Sequence, residues 1–455
     1  MSCLLRLACW CGLVFALPAW SMGTLAEGYQ TALRSDRVFL AAAAQHRSVL
    51  EKVPQARAGL LPTINANVNR TNNDAQVNYA DTRFAGIDRQ YLVNGWSVTL
   101  TQPLFRLANL LQYDRAHLQV EQSFIQLEVA RKDLLVRYVR ALLDWQSAQR
   151  NVEAAEMTQA HLRLAQEQAR SAAKLKLMSV PDLLETEARC GKAEADVEVA
   201  SGELKAKLAA LAKIVGGGVP SGRFIFGSLP APLLKDGVQA WIDQAKEQNA
   251  LVRAHVLQLA IMEKDIAAAR AGHLPTLNLV ASKGHTFNSG STSIVDGSSA
   301  NTQNQVAVGL QLEIPLFSGG LVNSRVDEAA AMRDRVKEEL ENARETAAVD
   351  VQTYYYKAIS GVARIEAAAQ RVRASESQLA AASAGRALNV KLEVDVLAAR
   401  AALVTAQREL FSAQAETMLA VLQLRQASGA LGDDDAQTWA RVLAFPAVGT
   451  HPERS

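Results

Sequence analysis

The sequence predicts a mainly α protein with a smaller β part, built from long coiled-coil helical hairpins and four amphipathic strands per chain. Three observations lead there. The chain repeats itself once, short runs between prolines alternate with period 2, and the stretches after those runs continue for dozens of residues without Gly or Pro. Composition agrees. Of 455 residues 49% are hydrophobic but only 5% are aromatic, which suits long Ala-rich helices better than a compact core of large side chains. Lys plus Arg is 48 against 46 Asp plus Glu, so the basic footprint of a nucleic-acid binder is absent. The charged fraction, 21%, with ample apolar content excludes a disordered chain.

The repeat is read from four anchors. Arg57-Ala58-Gly59-Leu60-Leu61-Pro62-Thr63-Ile64-Asn65 recurs as Arg270-Ala271-Gly272-His273-Leu274-Pro275-Thr276-Leu277-Asn278, an offset of 213. Gln102-Pro103-Leu104-Phe105 recurs as Ile314-Pro315-Leu316-Phe317 at 212, and Asp182/Asp395 and Gly216/Gly429 again at 213. Two copies of one unit follow, over 22–216 and 237–429, joined by a linker at 217–236 and followed by a tail at 430–455. Each copy reads as a helix, a strand pair (63–102 and 276–314) and a long helical hairpin (106–216 and 320–429).

The strands come from alternation. Ile64, Ala66 and Val68 alternate with Asn65, Asn67 and Asn69; Trp96, Val98 and Leu100 alternate with Ser97, Thr99 and Thr101. In the second copy Leu277, Leu279 and Ala281 share a face, as do Val306, Val308, Leu310, Leu312 and Ile314. Each strand thus has one apolar and one polar face. The polar, Gly/Ser/Asn-rich connections Asn72 to Gly95 and Gly284 to Asn304 read as exposed loops.

The helices come from what is missing. No Pro lies between Pro103 and Pro181, nor between Pro315 and Pro446. Val351, Tyr355, Ala358, Val362, Ile365, Ala369, Val372 and Leu379 step by threes and fours, with Glu376 a polar break, and Leu397, Val404, Phe411 and Met418 recur every seven. That is a heptad seam. A helix from Leu107 to Lys174 would span about 100 Å. The hairpin turns fall near Lys176 to Pro181 and Asn389 to Val394, with returning helices from Asp182 and Asp395.

The N-terminus has Arg6, an apolar run from Leu7 to Leu17, and a Pro18-Ala19-Trp20-Ser21 break. This reads as a secretory signal at 1–21, too short for a membrane-spanning helix. Cys3, Cys9 and Cys11 lie inside it, so the exported chain keeps only Cys190 and can form neither an internal disulfide nor a cysteine metal site. No later apolar run is long enough to cross a bilayer as a helix. Four strands are too few to close a barrel, since the smallest membrane barrels use about eight, and open sheet edges are not tolerated in lipid. If the strands cross a membrane, several chains must share one barrel. Ile64, Val68, Trp96, Val98, Leu100, Leu277, Leu279, Val306, Val308, Leu310 and Leu312 would then face lipid, with Trp96 in an interfacial belt and the Asn/Ser/Thr/Gln faces lining water.

The duplication, the Ala-Gly-x-x-Pro strand entry, the Pro-Leu-Phe exit and the Asp395-Val396-Leu397-Ala398-Ala399-Arg400 helix start resemble the TolC family of outer-membrane channel proteins over nearly the whole exported chain. The resemblance implies a homotrimer in which twelve strands form one outer-membrane barrel, continuous with a periplasmic α-barrel of helices. An equatorial region would use Gly217 to Asp236 and the segment after Gly429. It also implies an inner-membrane transporter and a periplasmic adaptor (a membrane fusion protein) as partners, outer-membrane lipid around the barrel, and no cofactor.

The same resemblance points to the periplasmic hairpin turns as a gate. Lys391 falls at a basic gate position, Arg386 where an aromatic link residue is usual, and Asp182 at the acidic partner position, so a Lys391–Asp182 latch is expected. The family's inward acidic ring falls at Ala398; Glu393 and Asp395 are the nearest substitutes, and Asp395 is equally suited to capping a helix start. The usual turn glycines are replaced by Lys176 and Asn389, and Lys tolerates a left-handed conformation poorly.

Catalysis finds no purchase here. The seven histidines (46, 117, 161, 255, 273, 285 and 451) are scattered, and Gly216-Gly217-Gly218 lacks the Lys-Ser/Thr of a phosphate loop and reads as a helix C-cap. The sequence therefore reads as a non-enzymatic exit duct for type I protein secretion, with the missing lipid-anchor cysteine favouring that cargo over small-molecule efflux. A soluble periplasmic coiled-coil adaptor, the rival of a different class, needs one hairpin and no duplicated strand pair.

Overall fold

The computed structural model describes residues 25–78, 86–217, 225–226, 237–290, 300–388, 390–432 and 443–444. The expected signal at 1–21, most of the 217–236 linker, Asn389 and most of the tail lie outside them. The elements in order are α1 (Leu25–Ser35), α2 (Arg37–Leu50), α3 (Lys52–Ala58), β1 (Thr63–Val77), β2 (Ile87–Phe105), α4 (Leu107–Lys174) and α5 (Val180–Val215). Then come β3 (Ile225–Phe226), α6 (Val238–Gln248), α7 (Ala250–Arg270), β4 (Thr276–Asn288), β5 (Asn301–Glu313), α8 (Leu321–Ala387), α9 (Glu393–Ala427) and β6 (Leu443–Ala444). Among the described residues no helix is long and apolar enough to cross a membrane.

Two compact units cut across the repeats, each taking part of both. One comprises Ala42–Val129 and Ala250–Thr346; the other comprises the described residues of 25–41, Ala130–Asn249 and those from Ala347 onward. The first holds an antiparallel four-stranded sheet of order β1-β2-β4-β5, so β2–β4 joins the two repeats and β1 and β5 are its edges. Its helices are tied by polar side chains. Lys264 pairs with Asp114 at 3.0 Å, Arg115 with Asp265 at 2.9 Å, and Gln122 Nε2 donates to Gln258 Oε1 at 2.8 Å.

The strands outrun the sequence expectation. Much of the two expected loops is strand, since β1 continues to Val77, β2 starts at Ile87, β4 continues to Asn288 and β5 starts at Asn301. Alternation detects a strand only where one face is apolar. Here apolar and polar residues do not alternate (Tyr91, Leu92 and Val93 are consecutive) and ladder pairing carries the strand on, as in Asn72↔Leu92 and Asn73↔Tyr91, with Gln90 donating to Asp74 at 3.0 Å and Asn288 to Asn301 at 3.0 Å.

The second unit packs most of the long hairpins around one apolar cluster. Leu134, Tyr138, Leu142 and Leu143 of α4, Leu211 of α5, Phe411, Met418 and Leu422 of α9, and Leu25 of α1 are all buried in it. The expected seam on α8 needs correcting at two steps. Gly361 is buried where Val362 was expected, leaving Val362 51% exposed, and buried Ser375 takes the step of the presumed break at Glu376. The reason is close approach. A Cβ on Gly361 would lie 2.2 Å from Thr417 Oγ1, so only glycine lets α9 come this near. Hairpin register is reinforced by ion pairs at heptad spacing: Arg163–Glu194 and Arg170–Glu187 in the first hairpin, Arg364–Glu416 and Arg371–Glu409 in the second. The repeat anchors Gly216 and Gly429 both sit at φ 80, ending α5 and following α9 in the left-handed conformation. The short strands β3 and β6 pair, joining the linker to the tail.

Asp36, between α1 and α2, is 4% exposed. It accepts the Phe39 amide at 2.8 Å and both terminal nitrogens of Arg137, at 3.0 and 3.1 Å, while Arg137 Nε reaches Asp133 at 2.7 Å. Burial alone would raise the Asp36 carboxyl, but the bonds from Arg137 and the Phe39 amide outweigh it and hold it below the usual carboxylate range. A depressed folded value contributes stability above the unfolded one and loses it as pH falls through the folded one. Asp36→Asn is therefore expected to cost about 1–3 kcal/mol at neutral pH, a difference that shrinks below about pH 4, read from thermal melts of both proteins across pH. Tyr138 offers the opposite case, since its buried hydroxyl has no partner among the described residues. Tyr138→Phe removes that unpaired group and should leave stability, read from the thermal midpoint, unchanged or raised by about 1 kcal/mol at most.

Candidate gate and membrane-facing sheet

The first hairpin turn follows α4. Lys176 has φ 60, the sole non-Gly residue at positive φ among those described, and the Leu177 amide reaches back to Ala172 O at 2.9 Å. This is a Schellman closure with lysine where glycine is the unstrained choice. Ser179 then caps α5. Its hydroxyl accepts the Asp182 amide at 3.3 Å and donates to Asp182 Oδ2 at 2.6 Å. Asp182 is thus engaged with its own helix start, and no ion pair joins it to Lys391 within the chain's described residues.

The second turn is built differently. Arg386, at the end of α8, pairs with Glu393, at the start of α9. The Asp395 carboxylate accepts the Leu392 amide at 3.1 Å, half of a capping box, since Leu392 offers no acceptor in return. Capping is therefore what Asp395 does here. The Val390 and Lys391 amides both donate to Gly385 O, at 2.8 and 3.1 Å. A Cβ on Gly385 would meet Lys391 Cγ at 2.8 Å, so the lysine stem lies against a bare glycine backbone. Gly385 was not singled out from sequence, although an isolated Gly inside a long helical pattern is itself a packing signal. Also unforeseen are the apolar hairpin ends: Leu175, Leu177 and Val180 on one, Leu388, Val390 and Leu392 on the other, all well exposed.

In the sheet, register puts all eleven apolar candidates on one face. Ile64, Ala66 and Val68 oppose Leu100, Val98 and Trp96 on β2. Leu100 continues to Ala281, and Leu277, Leu279 and Ala281 oppose Leu312, Leu310 and Val308, with Val306 next along β5. Every residue of β5 is exposed, and Val68 is 84% exposed. The other face presents Asn65, Asn67, Thr99, Thr101, Ser282, Gln303 and Gln305. Lys283 sits on the apolar face between Val98 and Val306, a position that sequence alternation had passed over.

Comparison with known proteins bears on this arrangement. A family model described as outer membrane efflux protein matches twice, over residues 28–217 and 241–430. The two matches start 213 residues apart, the offset of the sequence repeat, and together span most of the chain. The chain belongs to the outer membrane efflux protein family. It is 27% identical over 419 residues to the outer membrane protein TolC of Vibrio cholerae, covering 90% of this chain and 92% of that protein. It is 29% identical over 433 residues to the proteases secretion protein PrtF of Dickeya chrysanthemi, covering 92% and 90%. In structure it is similar to the CmeC outer membrane channel of Campylobacter jejuni, with a TM-score of 0.71 at 14% identity over 93% of this chain and 90% of that one. VceC of Vibrio cholerae gives 0.67 at 18% identity over 89% and 96%. The family is one of outer-membrane exit ducts, and this member belongs in the outer membrane with a large periplasmic portion. Family members act with periplasmic adaptors and inner-membrane transporters.

The strained turn yields a test. Lys176→Gly should relieve the left-handed backbone by about 1 kcal/mol, visible as roughly fivefold slower hydrogen exchange at the Leu177 amide.

Proposed function

We propose that three copies of this chain complete one twelve-stranded barrel, and that the duct serves type I protein secretion. The observation that carries the first part is the open sheet. It has one apolar face and two unpaired edges, β1 and β5, and no edge can stay unpaired in hydrocarbon. Pairing β5 of one chain with β1 of the next removes every edge at once, and the eleven apolar residues then face lipid. The secretion reading is supported by full-length relatives named for protease export. PrtF is one; the alkaline protease secretion protein AprF of Pseudomonas aeruginosa, 28% identical over 432 residues, is another. The family description itself, efflux, keeps small-molecule export as the second reading. Energy comes from the inner-membrane partner, and the exposed leucines and valines at the hairpin ends suit an adaptor that buries them.

The gate lies at the second hairpin turn. The Arg386–Glu393 pair and Asp395 set the shape of that turn, and Lys391 projects from it toward an acidic group of a neighbouring chain, Asp182 being the nearest in role. An exposed pair contributes only about 0–1 kcal/mol, so the latch works through three copies.

Purified full-length protein in detergent should have the mass of a trimer and give discrete conductance steps in planar bilayers. Lys391→Ala or Asp182→Ala should raise open probability, by up to about fivefold per kcal/mol of latch removed. A pore-free monomer would overturn the duct, and unchanged gating in both variants would overturn the latch. In cells lacking their own duct, export of a protease passenger without drug resistance supports secretion; the reverse supports efflux.

A further inference from the structure

The apolar face of the sheet changes character row by row towards the end that carries the strand-joining loops. Nearest the helices the rows are apolar: Leu277–Leu312, Leu279–Leu310, then Ile64–Leu100–Ala281–Val308. The next row, Ala66–Val98–Lys283–Val306, puts an ammonium group among aliphatic side chains. Above it runs Val68–Trp96–His285–Asn304. There the Trp96 and His285 rings stack at 6.5 Å and 18°, and His285 Nδ1 lies 2.8 Å from Asn304 Oδ1. Then comes Arg70–Asn94–Phe287–Thr302, beyond which the Asn72–Leu92 and Asp74–Gln90 rows are mostly polar.

The apolar band therefore ends at the Trp96 row. From Leu277 to His285 is eight residues, about 20 Å of height for strands tilted by some 40°, close to the apolar band of an outer-membrane barrel. Trp96 and His285 occupy the level where amphipathic rings settle at a membrane interface. Lys283 lies one row inside that level and Arg70 one row outside it. A lysine so placed reaches the headgroups by extending its stem along the apolar surface. Among the described residues neither Arg70 nor Lys283 has an acidic partner, and Asp74 is taken by Gln90. The helices leave the sheet at Thr63, Phe105, Thr276 and Glu313, the opposite strand ends. With the helical portion periplasmic, the Trp96 row is at the outer leaflet.

We propose that Arg70 and Lys283, on either side of the Trp96–His285 row, form a binding site for the phosphates of an anionic outer-leaflet lipid. Each chain contributes one site, so the barrel carries a ring of them. Arg70 offers the forked donor that matches phosphate geometry, and Lys283 a mobile point charge from below. The inference rests on the apolar face meeting lipid, as proposed above.

The test uses full-length protein in detergent, with diphosphorylated lipid A and its dephosphorylated form as probes, and bound lipid counted by native mass spectrometry. The intact protein should retain the diphosphorylated form about tenfold better. Arg70→Gln with Lys283→Gln should abolish that preference, Arg70→Lys with Lys283→Arg should keep it, and Lys337→Gln on the exposed surface of α8 should leave it unchanged. Equal retention of the two probes, an unaltered preference in the Gln double variant, or an equal loss with Lys337→Gln would overturn the site. Conductance of the same preparation separates the two readings. Pores with no phosphate preference overturn the lipid site alone, whereas a pore-free monomer overturns the duct beneath it.

Discussion

A backbone amide or carbonyl in hydrocarbon has no water to bond to, and a strand at a sheet edge carries a row of them. That constraint governs the whole molecule. The chain builds a sheet that is complete in its interior, where β1, β2, β4 and β5 pair along their lengths, and incomplete at both sides. Antiparallel pairing of β2 with β4 brings the two repeats side by side, so one duplicated unit produces a single continuous sheet whose eleven candidate apolar residues share one face. In this light the duplication is economical: each copy supplies a strand pair that cannot stand alone, together with a helical hairpin.

The hairpins answer a different demand. Besides the apolar cluster that they share, long helices exposed to water keep register through seam packing and small-residue contacts. Gly361 against Thr417, buried Ser375 and the alanines of α9 let helices approach closely, while arginine–glutamate pairs seven residues apart discourage sliding. Each exposed pair is weak, so their value lies in opposing wrong registers more than in total stability. The turns are where this regularity stops, and they show the least optimised chemistry: a left-handed lysine at one, and at the other a lysine stem laid over a bare glycine.

Much of this was legible in the sequence because it is periodic. The helix ends at Lys174, Gly216 and Gly429, and the apolar strand faces, announce themselves through spacing and punctuation. The outer halves of the strands did not, because there apolar and polar residues fail to alternate, as in Tyr91-Leu92-Val93, and only pairing with the neighbouring strand reveals them. Val362 was misplaced for a related reason: a periodicity count favours the larger apolar residue, whereas packing favoured Gly361, whose contribution is the absence of a side chain. Lys283 was overlooked because its exceptional position exists only relative to Val98 and Val306, on two other strands.

The sequence by itself determined the duplication, the helical hairpins, the four strands with their apolar faces, and the family, since local periodicity and repeat spacing depend on nothing beyond the chain. Tertiary structure decided what depends on neighbours. It set how far each strand runs, that Gly361 and not Val362 fills its seam step against Thr417, and that Lys283 lies between Val98 and Val306. Those outcomes turn on distances between residues remote in sequence, and a linear pattern carries no information about such distances.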